Sequence, residues 1–136
     1  MKTLPQSCEQ CLAEFGQALD DLRVYVQKAK KVELSEAQSR ELITSFEVTH
    51  ELALKVMSKY FAQQGKGPYS GSRDLTVEAF HADLIDDGKS WLDIIIDRIQ
   101  YNPVYEIDTQ SKFIENIKKR YTSLFNRFEE NMGKML

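Results

Sequence analysis

Both histidines of this 136-residue chain sit three places after a glutamate, as Glu47-x-x-His50 and Glu78-x-x-His81. Residues three apart share one face of a helix, and a carboxylate beside an imidazole is how helical bundles build half of a two-metal carboxylate site. The other half needs a glutamate from each of two further helices. Glu9, Glu14 and Glu115 are available, yet none holds a position that the pattern singles out. The simpler reading is polar residues on a wet helix face, so the expectation is no metal and no cofactor, with a di-metal bundle as the remote alternative.

A second cluster runs Asp97-Arg98-Ile99-Gln100-Tyr101-Asn102-Pro103-Val104-Tyr105. An arginine directly after an apolar helix face, followed by a turn with two tyrosines and an asparagine, is an odd cluster for a mere connection. The alternative is that Arg98 pairs with a carboxylate near a helix C-terminus, where a cation is favoured anyway. Lys118-Lys119-Arg120 is basic, but three consecutive helical positions point in three directions, which suits a solvated face, with phosphate contact as the alternative. Gly65 to Arg73 supplies Gly, Lys, Ser and Arg ahead of a helix without the order of a phosphate-binding P-loop, and reads as a helix–helix connection. Cys8 and Cys11 form a single C-x-x-C; a structural zinc needs four ligands, so the pair is expected to be buried or idle.

Helices must position these residues. No Gly or Pro occurs from Gln17 to Gln64 or from Val104 to Met132. Leu12, Phe15, Leu19, Leu22 and Val26 recur at steps of three and four, and the helix breaks near Lys30 to Glu33. Ser35 and Gln38 make a capping box for a second helix that Gly65 ends. A third should run from about Ser72 through Leu84, and a fourth from the Asp86-Asp87-Gly88 turn to just past Arg98, because Pro103 cannot continue it. Asp108 or Thr109 should cap the last, whose Phe113, Ile117, Tyr121, Leu124 and Phe128 share a stripe. The fold class is therefore all-α, an up-and-down antiparallel bundle of about five helices in one domain spanning residues 1–136. The nearly continuous apolar run Trp91–Ile96 suggests burial on more than one side, hence a homodimer.

Composition narrows the function classes. With 18 basic and 21 acidic residues the net charge is −3, so no strong electrostatic footprint for nucleic acid exists. No stretch is long and apolar enough for a membrane span, and the first ten residues lack the apolar core of a secretory signal. A cytoplasmic location without membrane contact is expected.

Phe46-Glu47-x-Thr49-x-Glu51-Leu52-Ala53-x-Lys55 resembles the second-helix signature of the nucleotidyltransferase substrate-binding proteins, small HEPN-domain chains paired with minimal nucleotidyltransferases. Arg73-Asp74 through Glu78-Ala79-Phe80, then Leu84-Ile85-x-Asp87-Gly88-x-x-Trp91-Leu92 to Asp97-Arg98, continues the likeness, which covers most of residues 10–130. The resemblance implies a dimerising helical bundle, a minimal nucleotidyltransferase encoded nearby as partner, and RNA or a nucleotide as ligand. In that family the fourth helix ends in Arg, four residues, His, one residue, Tyr, and toxin members cleave RNA without metal using the Arg and His. Here Arg98 and Tyr105 match, whereas the His position is Pro103. Proline has no proton to transfer, so the implied nuclease is absent unless another group replaces the histidine. In toxin–antitoxin members the partner transfers AMP to the motif tyrosine, here Tyr105. Around the dimer cleft the resemblance places Arg98, Tyr105, Asn102 and Glu47, in nucleotide or partner binding.

Overall fold

The computed structural model describes residues 7–101 and 107–136, with only the backbone of 107 and 108. Helix α1 (Cys8–Lys31) opens on a capping box in which Ser7 Oγ accepts from the Gln10 amide and the Gln10 side chain accepts from the Ser7 amide. Its buried residues Cys8, Cys11, Phe15, Leu19, Leu22 and Val26 follow the three-and-four spacing of one face, and three lysines in its last turn oppose the helix dipole. Helix α2 (Glu36–Gln63) repeats the device with Ser35 and Gln38. It closes where Gly65 adopts a φ of +73°, letting the Lys66 amide donate to the Phe61 carbonyl at 2.9 Å. The connection between α1 and α2 is only four residues long, and the two helices pack as an antiparallel hairpin.

Helix α3 (Ser72–His81) stops earlier than the expected Leu84. Asp83 takes a left-handed φ of 63°, and the Leu84 amide turns back to the Ala79 carbonyl at 2.9 Å. Helix α4 (Gly88–Gln100) is capped by Asp87, whose carboxylate accepts from the Ser90 amide. The last helix begins at Ile107, so Asp108 and Thr109 lie inside it rather than capping it. It runs as α5 (Ile107–Asn116), a π turn (Ile117–Tyr121) and α6 (Thr122–Met135) without a break.

Counting that run as one, five helices make an all-α up-and-down bundle, with no strand among the described residues. Contacts of α4 and the turn before it with the last helix run in opposite order: Asp86 with Arg127, Asp93 with Arg120, Asp97 with Asn116. The core is aromatic. Phe125 lies 5.1 Å from Phe46, 5.4 Å from Trp91 and 5.9 Å from Phe15, ring centre to ring centre, so it ties α6 to α1, α2 and α4. Cys8 and Cys11 are buried as expected, and burial, with Glu9 next, pushes the Cys8 thiol up to about 11. Of the apolar run on α4, Trp91 and Ile94 are buried, Leu92 and Ile95 half-buried, and Ile96 exposed at 48%. Ile99 beyond it is exposed at 78%. No helix among the described residues is long and apolar enough to cross a membrane.

Candidate functional site

Glu47, His50 and Glu51 occupy positions i, i+3 and i+4 of α2, one face of the helix, and that face meets the end of α4. What fills the space between them is the Arg98 guanidinium. Its Nη1 donates to Glu51 Oε1 at 2.6 Å and to His50 Nδ1 at 2.9 Å, while its Nε lies 3.5 Å from Glu47 Oε2. The Glu47-x-x-His50 spacing that could have held a metal thus cradles a cation of the chain's own. His81 is exposed at the end of α3, and Glu115 is engaged with Lys118 and Lys119.

The contact with Arg98 settles the state of His50. A guanidinium only donates, so Nδ1 must be the acceptor and the ring proton sits on Nε2. That nitrogen is buried without a hydrogen-bond partner. The ring is 1% exposed and packs among Phe46, Trp91 and Phe125. Burial first, and the Arg98 charge second, bring its pKa down from 6.5 to about 3. At neutral pH His50 is therefore an uncharged ring whose lone pair is occupied and whose proton is shut among aromatic side chains.

A second network fixes the α4 end that carries Arg98. Asp97 Oδ2 accepts from Tyr121 Oη at 2.5 Å and from Asn116 Nδ2 at 2.9 Å. Positions five apart lie on different faces of an α-helix; the π turn, whose hydrogen bonds reach one residue further, brings 116 and 121 to one carboxylate. The neighbouring Arg120 reaches Asp93 and Ser90 on the same helix, so one of the three consecutive basic residues is tied into the bundle. Tyr121 is fully buried, and burial together with the Asp97 carboxylate raises its phenol well above the ordinary tyrosine range.

Between α2, α3 and α4 a cavity of about 300 Å³ opens on this cluster, lined by Glu47, His50, Glu51 and Arg98 with Ser72, Ile95 and Ile99. Two carboxylates beside one guanidinium, with apolar flanks, suit a ligand that offers hydrogen-bond donors or a positive charge. A larger groove, about 610 Å³, follows the outer face of α1 and α2 and is lined by Asp21, Arg40, Glu41 and Ser45 among apolar side chains.

Residues 10–134 match the family model described as "Nucleotidyltransferase substrate binding protein like". The chain belongs to that family. No curated protein matches it. Of the residues the family resemblance singled out, the fold brings Glu47 and Arg98 together. Asn102, Pro103 and Tyr105 lie outside the described residues. One member of the cluster escaped the sequence reading as a partner of Arg98, namely Glu51, noted only within the family signature; His50 lies off the family motif in sequence, and the fold brings it to Arg98. The available signal was their shared face with Glu47 on α2.

Proposed function

We propose that this chain is the partner-binding, HEPN-type subunit of a pair with a minimal nucleotidyltransferase, acting as a cytoplasmic homodimer without ribonuclease activity of its own. The observation that carries this reading is the environment of Arg98. Among the described residues, its partners are the carboxylates of Glu47 and Glu51 and a neutral imidazole whose one proton, on Nε2, is buried away from any leaving group. Glu47 and Glu51 also neutralise the guanidinium and repel a phosphodiester, which weakens the grip on phosphorus that cleavage would need. Pro103 at the family's histidine position supports the same reading. The exposed Ile96 and Ile99 edge of α4 supports the dimer, because a second copy would cover it.

In this reading the carboxylate-lined cavity receives donor groups of the nucleotidyltransferase or of its substrate. Tyr105 and Asn102 serve as docking contacts for the partner, not as a modification switch, since no nuclease is there to silence. The test is co-expression with the nucleotidyltransferase encoded by the neighbouring gene, followed by size-exclusion chromatography with light scattering. The expected result is a stable complex that Glu47→Lys with Glu51→Lys dissociates while the helical bundle stays folded. No complex with the unaltered chain overturns the proposal.

A further inference from the structure

Away from Arg98, a cleft of about 190 Å³ lies between the second half of α1 and the π turn with the start of α6. Arg23 and Lys30 enter it from one side, Lys118 from the other, and Gln27, Ser123 and Asn126 add polar side chains over a floor of Val26. No carboxylate lines it. The acids nearby stand outside and engage the cations from behind: Glu115 takes one contact from Lys118 at 3.2 Å, and Asp20 and Glu129 hold Arg23. Arg23 and Lys118 are thereby partly neutralised, and Lys30 adds a charge that none of these acids engages, so an anion in the cleft meets positive charge from both sides.

The side chains are also set in advance. Arg23 donates from Nε and Nη2 to Asn126 Oδ1 at 3.1 and 2.7 Å, which occupies the amide oxygen and leaves the Asn126 NH₂ as the donor for a guest. Thr122 Oγ1 donates to the Ile117 carbonyl at 2.7 Å and so anchors the π turn that presents the half-buried Lys118. π turns recur at functional sites because they re-aim side chains at a cost in regularity. Here the turn sends Lys118 into the cleft and Arg120 and Tyr121 the opposite way, to α4.

We propose that this cleft binds the phosphate group of a nucleotide or of a nucleic-acid strand, at a site separate from Arg98 and independent of the nucleotidyltransferase pairing. Lys30 and Lys118 supply the charge, Arg23 positions the Asn126 amide, and Gln27 and Ser123 complete the hydrogen bonds to the oxygens. The volume admits one phosphate with its ester linkage and leaves the base outside.

The test is titration of the purified chain with inorganic phosphate, with a 5′-mononucleotide and with a short single-stranded oligoribonucleotide, followed by amide chemical shifts. The expected result is saturable shifts at Gln27, Lys30, Lys118 and Ser123 with at least one probe, weakened by added salt. Lys30→Gln with Lys118→Gln should reduce affinity at least about tenfold, while Arg98→Gln leaves it unchanged. A mononucleotide that outcompetes the strand identifies a free nucleotide as the source; the reverse identifies a backbone phosphate. Shifts that centre on Arg98, full affinity in the double lysine variant, or no saturable shift with any probe overturns the proposal.

Discussion

Replacing His50 by asparagine isolates the property on which the Arg98 site depends. The asparagine carbonyl can accept from Arg98 as Nδ1 does, but it cannot titrate. In the native chain burial and Arg98 hold the His50 pKa at about 3, against 6.5 for an ordinary histidine. The unfolded chain therefore takes up a proton below pH 6.5 that the folded chain refuses. A depressed pKa contributes stability that is present above 6.5 and lost as pH falls towards 3. The loss is about 1.4 kcal/mol per pH unit, so roughly 2 kcal/mol at pH 5. At 1% exposure, solvent screening does little to reduce it. Urea denaturation of both chains between pH 7.5 and 5 reads the difference directly, because carboxylates elsewhere titrate in both. The variant should be the less stable at pH 7.5, having lost ring packing against Phe46 and Phe125, and the gap should close by about 2 kcal/mol at pH 5. A gap that stays constant, or an imidazole resonance of His50 titrating near 6.5, refutes the reasoning.

Tyr121→Phe removes the phenol that donates to Asp97 and should cost about 1–2 kcal/mol at pH 7, read by urea denaturation. Because the folded pKa is raised, that contribution is intact below the ordinary value of 10 and fades above it, so the gap between the two proteins should shrink from pH 10 upward. Ser35→Ala deletes the oxygen that caps α2 and should lower stability by about 1 kcal/mol, seen as a fall of a few degrees in Tm. Ile99→Glu puts a charge on the edge proposed as the dimer face and should leave the helical signal intact while light scattering reports a monomer and Tm falls by what association contributed.

Where the fold was legible, local physics decided it. The stripe of Phe15, Leu19, Leu22 and Val26, the Ser35–Gln38 box and the left-handed Gly65 each act within a few residues, and all stand where the sequence put them. The end of α3 was misplaced because an aspartate, not a glycine, adopts the left-handed turn at residue 83. The π turn leaves no local mark; it exists because Asn116 and Tyr121 converge on a carboxylate from another helix. The same holds at the site. Glu47 and His50 stood out as a metal-like pair, and the chemistry that suits a metal equally suits a guanidinium arriving from 48 positions away. Only the bundle's packing decides between them.

Without a proton carrier beside Arg98, the chain is expected not to cleave RNA. Purified chain incubated at pH 7 with single-stranded RNA and a chelator tests it most directly. The RNA should stay intact, with the unaltered protein and Arg98→Ala alike. Rapid cleavage by the unaltered protein that Arg98→Ala abolishes would contradict it.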